Sequence, residues 1–136
     1  MPLDSSSSIV ALTGASGFIG GALTRSLSER GVPVRALVRD PDTIERTDGL
    51  EIVQGSLEDP DSLRRLVDGA DVVIHCAGAI KARGAKEFQA INAEGTRRLA
   101  AAAAQAKSRP RVMLVSSLAA REPSLSPYAA SKHAAE

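Results

Sequence analysis

Thr13-Gly14-Ala15-Ser16-Gly17-Phe18-Ile19-Gly20 is the stretch on which the fold turns. Before it stands Ile9-Val10-Ala11-Leu12, apolar at every position, as a strand buried on both faces requires. After it, residues 17–30 carry Ile19, Ala22, Leu23, Ser26 and Leu27 on one helical stripe, and Gly31 is placed to end the helix. Strand, Gly-x-x-Gly-x-x-Gly loop and helix, in that order, form a cradle for a dinucleotide pyrophosphate. Gly14 turns where a side chain would clash, and Gly17 lets a phosphate approach the backbone. Gly20 is expected to let the helix pack close to the sheet. The free N–H groups of the helix start then face the phosphate. Gly14, Ser16, Gly17, Phe18, Ile19 and Gly20 are therefore candidate cofactor-binding residues. The competing reading is a tight strand-to-helix turn with no ligand. A P-loop is excluded, because no Gly-Lys-Ser/Thr follows.

Outward from this unit, short apolar runs alternate with helical patterns. Strands are predicted at residues 32–38, 50–54, 71–76 and 112–115. Residues 40–49 hold Pro41 and Asp42 and read as a loop or short helix. Asp59, Pro60 and Asp61 open a helix through Leu63, Leu66 and Val67. One long helix is predicted over residues 85–107, presenting Phe88, Ile91, Leu99, Ala102 and Ala106. Ser126-Pro127 reads as an N-cap and first helical residue. The alternation implies an α/β fold, a doubly wound parallel sheet with strands in the order 3-2-1-4-5. Ligands of such sheets bind at the carboxyl ends of the strands, where the winding reverses. Residues 1–8 are polar and read as a lead-in, with the dinucleotide domain over 9–136.

The end of the second strand bears on the choice of dinucleotide. An NAD site usually has an acid there, to accept from the ribose 2′-OH. Here Val38 takes that place and Arg39 follows, a guanidinium suited to the 2′-phosphate of NADP. Asp40 precedes Pro41 and is expected to point into the loop. NADP is favoured, with NAD as the alternative. Ser56 and Leu57, after the third strand, lie where the adenine edge would sit; Ser56 would bond adenine or cap a turn. Ala77 and Gly78, after the fourth, are small enough for a cofactor to cross the backbone. His75, inside the strand end, is read as structural.

Ser116 and Ser117 follow the fifth strand, and Tyr128 and Lys132 stand four residues apart on the last helix. That spacing places phenol and ammonium on one helix face. An ammonium stabilises a phenolate, which suits a tyrosine to the proton transfer that accompanies hydride transfer. A serine hydroxyl would hold the reacting oxygen. The alternative is an ordinary solvated helix face.

Composition narrows the classes further. Seventeen Lys/Arg against sixteen Asp/Glu leave +1, which argues against retention on nucleic acid or an anionic membrane by bulk charge. Three aromatics in 136 residues provide no base-stacking platform and demand an aliphatic core. Cys76 is the single cysteine, so no intramolecular disulfide forms; with no signal-peptide pattern at the start, a reducing, cytoplasmic setting is expected. Without a Cys/His cluster, no metal site is expected.

Together these segments resemble the short-chain dehydrogenase/reductase family, in its extended epimerase/dehydratase branch. The resemblance rests on residues 13–20, Asp71-Val72-Val73-Ile74-His75-Cys76-Ala77-Gly78, Asn92-Ala93-Glu94-Gly95-Thr96, Val115-Ser116-Ser117 and Tyr128-Ala129-Ala130-Ser131-Lys132. It implies a Rossmann-type fold, NAD(P)H and hydride transfer at a carbonyl or alcohol of a small-molecule substrate such as a nucleotide sugar. It implies Tyr128 as acid/base, Lys132 as ligand of the nicotinamide ribose and tuner of the tyrosine, Ser117 polarising the reacting oxygen, and Asn92 contacting the cofactor or a structural water. A non-catalytic dinucleotide sensor is the competing class. Family members continue well past Lys132, so the chain reads as an N-terminal piece, itself expected to be inactive. Its exposed apolar surface would favour a homodimer or domain-swapped oligomer.

Overall fold

The computed structural model describes residues 8–136; the predicted lead-in lies, apart from Ser8, outside the described residues. Strand β1 (Val10–Thr13) runs into the glycine loop and helix α1 (Phe18–Glu29). Then come β2 (Val34–Val38), a 3₁₀ turn (Pro41–Thr43), β3 (Leu50–Gln54), α2 (Pro60–Val67) and β4 (Val72–His75). The five strands are completed by β5 (Arg111–Leu114), and α5 (Pro127–Ala135) closes the order. All pairs are parallel, in the order β3-β2-β1-β4-β5, as predicted. Val10 registers with Val34 on one side and Val72 on the other, so the winding reverses between β1 and β4.

Each sheet face carries its own aliphatic cluster. Ala11, Leu37, Val53 and Val73 pack under Leu63 and Leu66 of α2 and under Leu99 and Ala103 further along. On the other face Leu12, Val34, Ala36 and Val38 meet Leu23 and Leu27 of α1. Leu63 and Leu66 are almost wholly buried, each stabilising the fold by roughly 1.5–3 kcal/mol. By contrast β5 is an edge: Val112 is 46% exposed and Met113 57%.

The single long helix predicted over 85–107 is corrected. The segment is α3 (Ala85–Phe88), a π turn (Gln89–Glu94) and α4 (Gly95–Gln105). The wide turn carries Asn92 inward, where its amide bonds to Ala79 and Ser131, and the Thr96 hydroxyl donates to the Asn92 carbonyl at 2.7 Å. Two further 3₁₀ turns, Leu118–Arg121 and Pro123–Leu125, fill the gap before α5. Ser126 caps α5 by accepting from the Ala129 N–H at 3.0 Å, with Pro127 at its first position.

Candidate functional site

A groove of about 810 Å³ crosses the carboxyl edge of the sheet. Gly14 and Ser16 line it after β1, Val38, Arg39 and Asp40 after β2, Ser56 and Leu57 after β3, and Ala77, Gly78 and Ala79 after β4. Gly17, Phe18, Ile19, Gly20, Asn92 and Lys132 do not belong to that lining, and neither do Ser117 and Tyr128.

Gly14 has φ +76°, and a β-carbon there would lie 2.7 Å from the Ala77 nitrogen. The glycine loop thus presses on the chain leaving β4. Gly20 sits against the loop that leaves β1. Its absent side chain makes room for that loop: a β-carbon would lie 2.0 Å from the Gly14 carbonyl oxygen. That oxygen already accepts from the Gly17 N–H at 3.0 Å. The start of α1 has no side-chain cap and no acid in its first turn. Helix α2 is capped by Asp59 and α5 by Ser126. An uncapped N-terminus beside the groove-lining Gly14 and Ser16 fits an anion such as a pyrophosphate. The side chain of Phe18 is 95% exposed, so a contribution to such a ligand would come from its main chain.

At the end of β2 the two charges part ways. The Asp40 carboxylate accepts from the Asp42 N–H at 3.0 Å and so turns into the loop, as predicted. Arg39 is exposed on the groove, and its carbonyl accepts from the Gln54 amide at 3.4 Å. The Ser56 hydroxyl accepts from the Glu58 N–H at 3.3 Å, which realises the turn-capping reading while leaving Ser56 on the groove wall. Helix α4 closes this end: Gly95 lies over Leu57, and Arg98 reaches the lining. Its neighbour Arg97 pairs with Glu94 at 2.8 Å, while Arg98 forms no ion pair among the described residues. The sequence reading missed Arg98, which lies off the apolar stripe and outside every motif.

At the other end, Lys132 is 7% exposed and its Nζ donates to the Val115 carbonyl at 3.1 Å. Burial pushes its pKa below the usual lysine range, while Glu136 and Cys76 oppose the fall. Lys132 stands behind Gly78, where a β-carbon would come within 3.8 Å of Nζ. Tyr128 is half-buried and packs edge-on to Phe88, ring centroids 5.9 Å apart. The Ser116 hydroxyl donates to Glu136 at 2.6 Å. Ser117 instead accepts from the Ala119 N–H at 3.2 Å, which leaves its own proton to donate.

Asn92, expected to contact the cofactor or a structural water, is held within the chain. It is 2% exposed, and both its amide nitrogen and its oxygen are bonded within the chain. His75 is 1% exposed between Thr13 and Thr96. Burial, helped by the Lys132 charge, lowers its pKa to about 4. Burial likewise raises the Cys76 thiol. No group of metal-ligating side chains occurs among the described residues, and no helix among them is long and apolar enough to cross a membrane.

Fold and glycine loop define a dinucleotide-binding class, and comparison with known proteins bears this out. The chain belongs to the short-chain dehydrogenase/reductase family, of the extended epimerase/dehydratase type, and its residues 14–136 match the NAD(P)H-binding family. It is 52% identical over 130 residues to a ceramide reductase of Caulobacter vibrioides, covering 94% of this chain and 40% of the relative. It is 33% identical over 105 residues to a 3-beta-hydroxysteroid dehydrogenase of Mycolicibacterium neoaurum, covering 71% of this chain and 29% of the relative. Among solved structures, MoeE5 in complex with UDP-glucose and NAD superposes with a TM-score of 0.79 at 28% identity, over 94% of this chain and 46% of the other. The chain thus spans less than half the length of these relatives.

Proposed function

We propose that this chain is the cofactor-binding and proton-transfer part of an NADP-dependent oxidoreductase that works at a ketone or secondary alcohol of an apolar, lipid-like molecule. The observation that carries this reading is the groove itself. It is lined by Gly14 and Ser16 of the loop that leads into the uncapped start of α1, and it runs to Gly78, whose missing side chain leaves the Lys132 ammonium close behind the wall. Gly14, Ser16 and the main chain of Gly17, Phe18, Ile19 and Gly20 would hold the pyrophosphate. Ser56 and Leu57 would border the adenine, and Ala77 and Gly78 the nicotinamide half. The bound dinucleotide supplies or accepts the hydride. In the reducing direction the Tyr128 phenol gives its proton to the carbonyl oxygen, Ser117 donates a hydrogen bond to that oxygen, and the Lys132 ammonium stabilises the phenolate left behind.

Arg39 supports NADP, because Asp40 is withdrawn into its turn and Val38 offers the ribose no acceptor. Calorimetric titration of the chain is expected to give tighter binding of NADPH than of NADH. Arg39→Ser is expected to remove that preference, weakening NADPH by roughly 10- to 100-fold, the worth of a charge-assisted hydrogen bond, and sparing NADH. Tighter binding of NADH by the unaltered chain would overturn the NADP assignment. Binding of neither would overturn the dinucleotide site.

The apolar substrate class is supported by Phe18, Ile80 and Leu118, which follow β1, β4 and β5 and are 95%, 77% and 82% exposed. Those three strands are neighbours at about 5 Å spacing, so the residues follow adjacent strands on the carboxyl side of the sheet. Two of the relatives act, by name, on a ceramide and on a steroid. A second reading, a nucleotide-sugar epimerase or dehydratase that regenerates its cofactor, is favoured by the likeness to MoeE5. Assaying the whole protein for NADPH consumption separates them. Turnover is expected with a long-chain ketone and not with UDP-glucuronic acid. The reverse pattern would replace the lipid reading with the sugar one.

A further inference from the structure

His75 is the buried titratable group that the proposed chemistry leaves unused, and its hydrogen bonds have only one consistent order. The Thr96 hydroxyl donates to the Asn92 carbonyl at 2.7 Å, so its proton is committed. The contact of Thr96 Oγ1 with His75 Nε2 at 3.0 Å must then be donated by the imidazole. With Nε2 protonated and the ring neutral, Nδ1 is an acceptor, and it takes the Thr13 hydroxyl proton at 2.6 Å. The Thr13 oxygen in turn accepts the Ala77 N–H at 3.1 Å. The chain of donors runs one way, from Ala77 through Thr13, His75 and Thr96 to the carbonyl of Asn92.

Both ends of this relay meet the wall of the groove. Thr13 holds the Ala77 N–H. The Asn92 side chain holds the other end of the same short segment, accepting from the Ala79 N–H at 2.8 Å and donating to the Ala79 carbonyl at 3.0 Å. The same amide donates to Ser131 on α5 at 3.0 Å, and Ser131 donates to the Tyr128 carbonyl at 2.7 Å. We propose that neutral His75, protonated at Nε2, is a positioning residue: it fixes the Ala77–Ala79 shelf and registers it with the π turn that holds α5. This assignment rests on the reading of the groove as a dinucleotide site only for its effect on the cofactor. A residue that merely fills space would not demand one tautomer. A phenyl ring of similar size would leave the buried Thr13 hydroxyl without an acceptor and Thr96 without a donor, whereas a glutamine amide offers both an acceptor and a donor.

The test has three readouts on the 136-residue chain. Nitrogen NMR of the imidazole near neutral pH is expected to show the neutral Nε2–H tautomer; the Nδ1–H tautomer or an imidazolium overturns the proposal. His75→Phe is expected to speed hydrogen exchange at the Ala77 and Ala79 amides tenfold or more, with the β2–β3 amides unchanged. It is also expected to weaken NADPH at least tenfold, and His75→Gln to restore most of both. Should His75→Phe fail to fold, Thr96→Val removes the acceptor for Nε2–H at nearly constant volume, and the same local acceleration is expected. Uniform or absent acceleration in a folded variant overturns the proposal, and so does unchanged NADPH affinity. If the unaltered chain binds no dinucleotide, the proposed function fails, while the tautomer and exchange results still decide the role of His75 in holding the shelf.

Discussion

Gly20→Ala is expected to destabilise the chain by about 3 kcal/mol, the upper range for forcing an extra carbon into a packed site. The added carbon would arrive 2.0 Å from the Gly14 carbonyl oxygen and 2.6 Å from its carbon. Neither atom belongs to a flexible side chain. The oxygen cannot retreat freely, because it holds the Gly17 N–H at 3.0 Å. Relief therefore requires the whole glycine loop to part from α1. Gly31→Ala is the matched control. Gly31 has φ +69° but nothing within 4 Å of its β-carbon position, so the cost there is backbone strain alone, about 1–2 kcal/mol. Urea unfolding of the two variants checks the contrast. A Gly20→Ala cost no larger than that of Gly31→Ala would mean that the loop and helix do not lock together as described. NADPH affinity should fall with Gly20→Ala and stay unchanged with Gly31→Ala, since only the first lies at the proposed pyrophosphate cradle.

That contrast also marks how far the sequence was legible. The Gly-x-x-Gly-x-x-Gly spacing located the loop, and the apolar run before it located β1, because both signals are local. Strand order followed from short connections and right-handed crossovers, and it matches the structure throughout. Asp40 could be turned into its loop from Pro41 alone. What Gly20 touches was not legible, because the neighbour is a carbonyl whose direction depends on the folded loop. The π turn was invisible for a related reason: its periodicity resembles a helix, and its cause lies in bonds from Asn92 to residues 13 and 39 positions away. Nor could local pattern reveal that His75 sits between Thr13, 62 residues before it, and Thr96, 21 after. Such polar residues are chosen by partners distant in sequence, and a strand motif shows only that they are buried.

Tyr128→Phe is expected to lower turnover by 10²- to 10⁴-fold, the usual worth of a positioned acid, or roughly 3–5 kcal/mol of barrier. The prediction is sharp because little else should change. The ring packs edge-on to Phe88, a contact that phenylalanine keeps, so stability is expected to hold within about 0.5 kcal/mol, as for changes outside the packed core. Tyr128 does not line the groove, so NADPH affinity of the chain should change less than twofold. Lys132→Met should behave differently. Lys132 is buried and gives the Val115 carbonyl its hydrogen bond, so its loss should cost stability and cofactor affinity as well as rate. Turnover is to be measured on the whole protein and cofactor binding on residues 1–136. A Tyr128→Phe protein that turns over at the original rate would remove Tyr128 as the acid and favour a dinucleotide-binding sensor. A Tyr128→Phe protein that loses NADPH binding and rate in proportion would make the tyrosine a cofactor ligand instead. A fall in rate alone, with Lys132→Met losing both, is the result that the separate positions of the two side chains require.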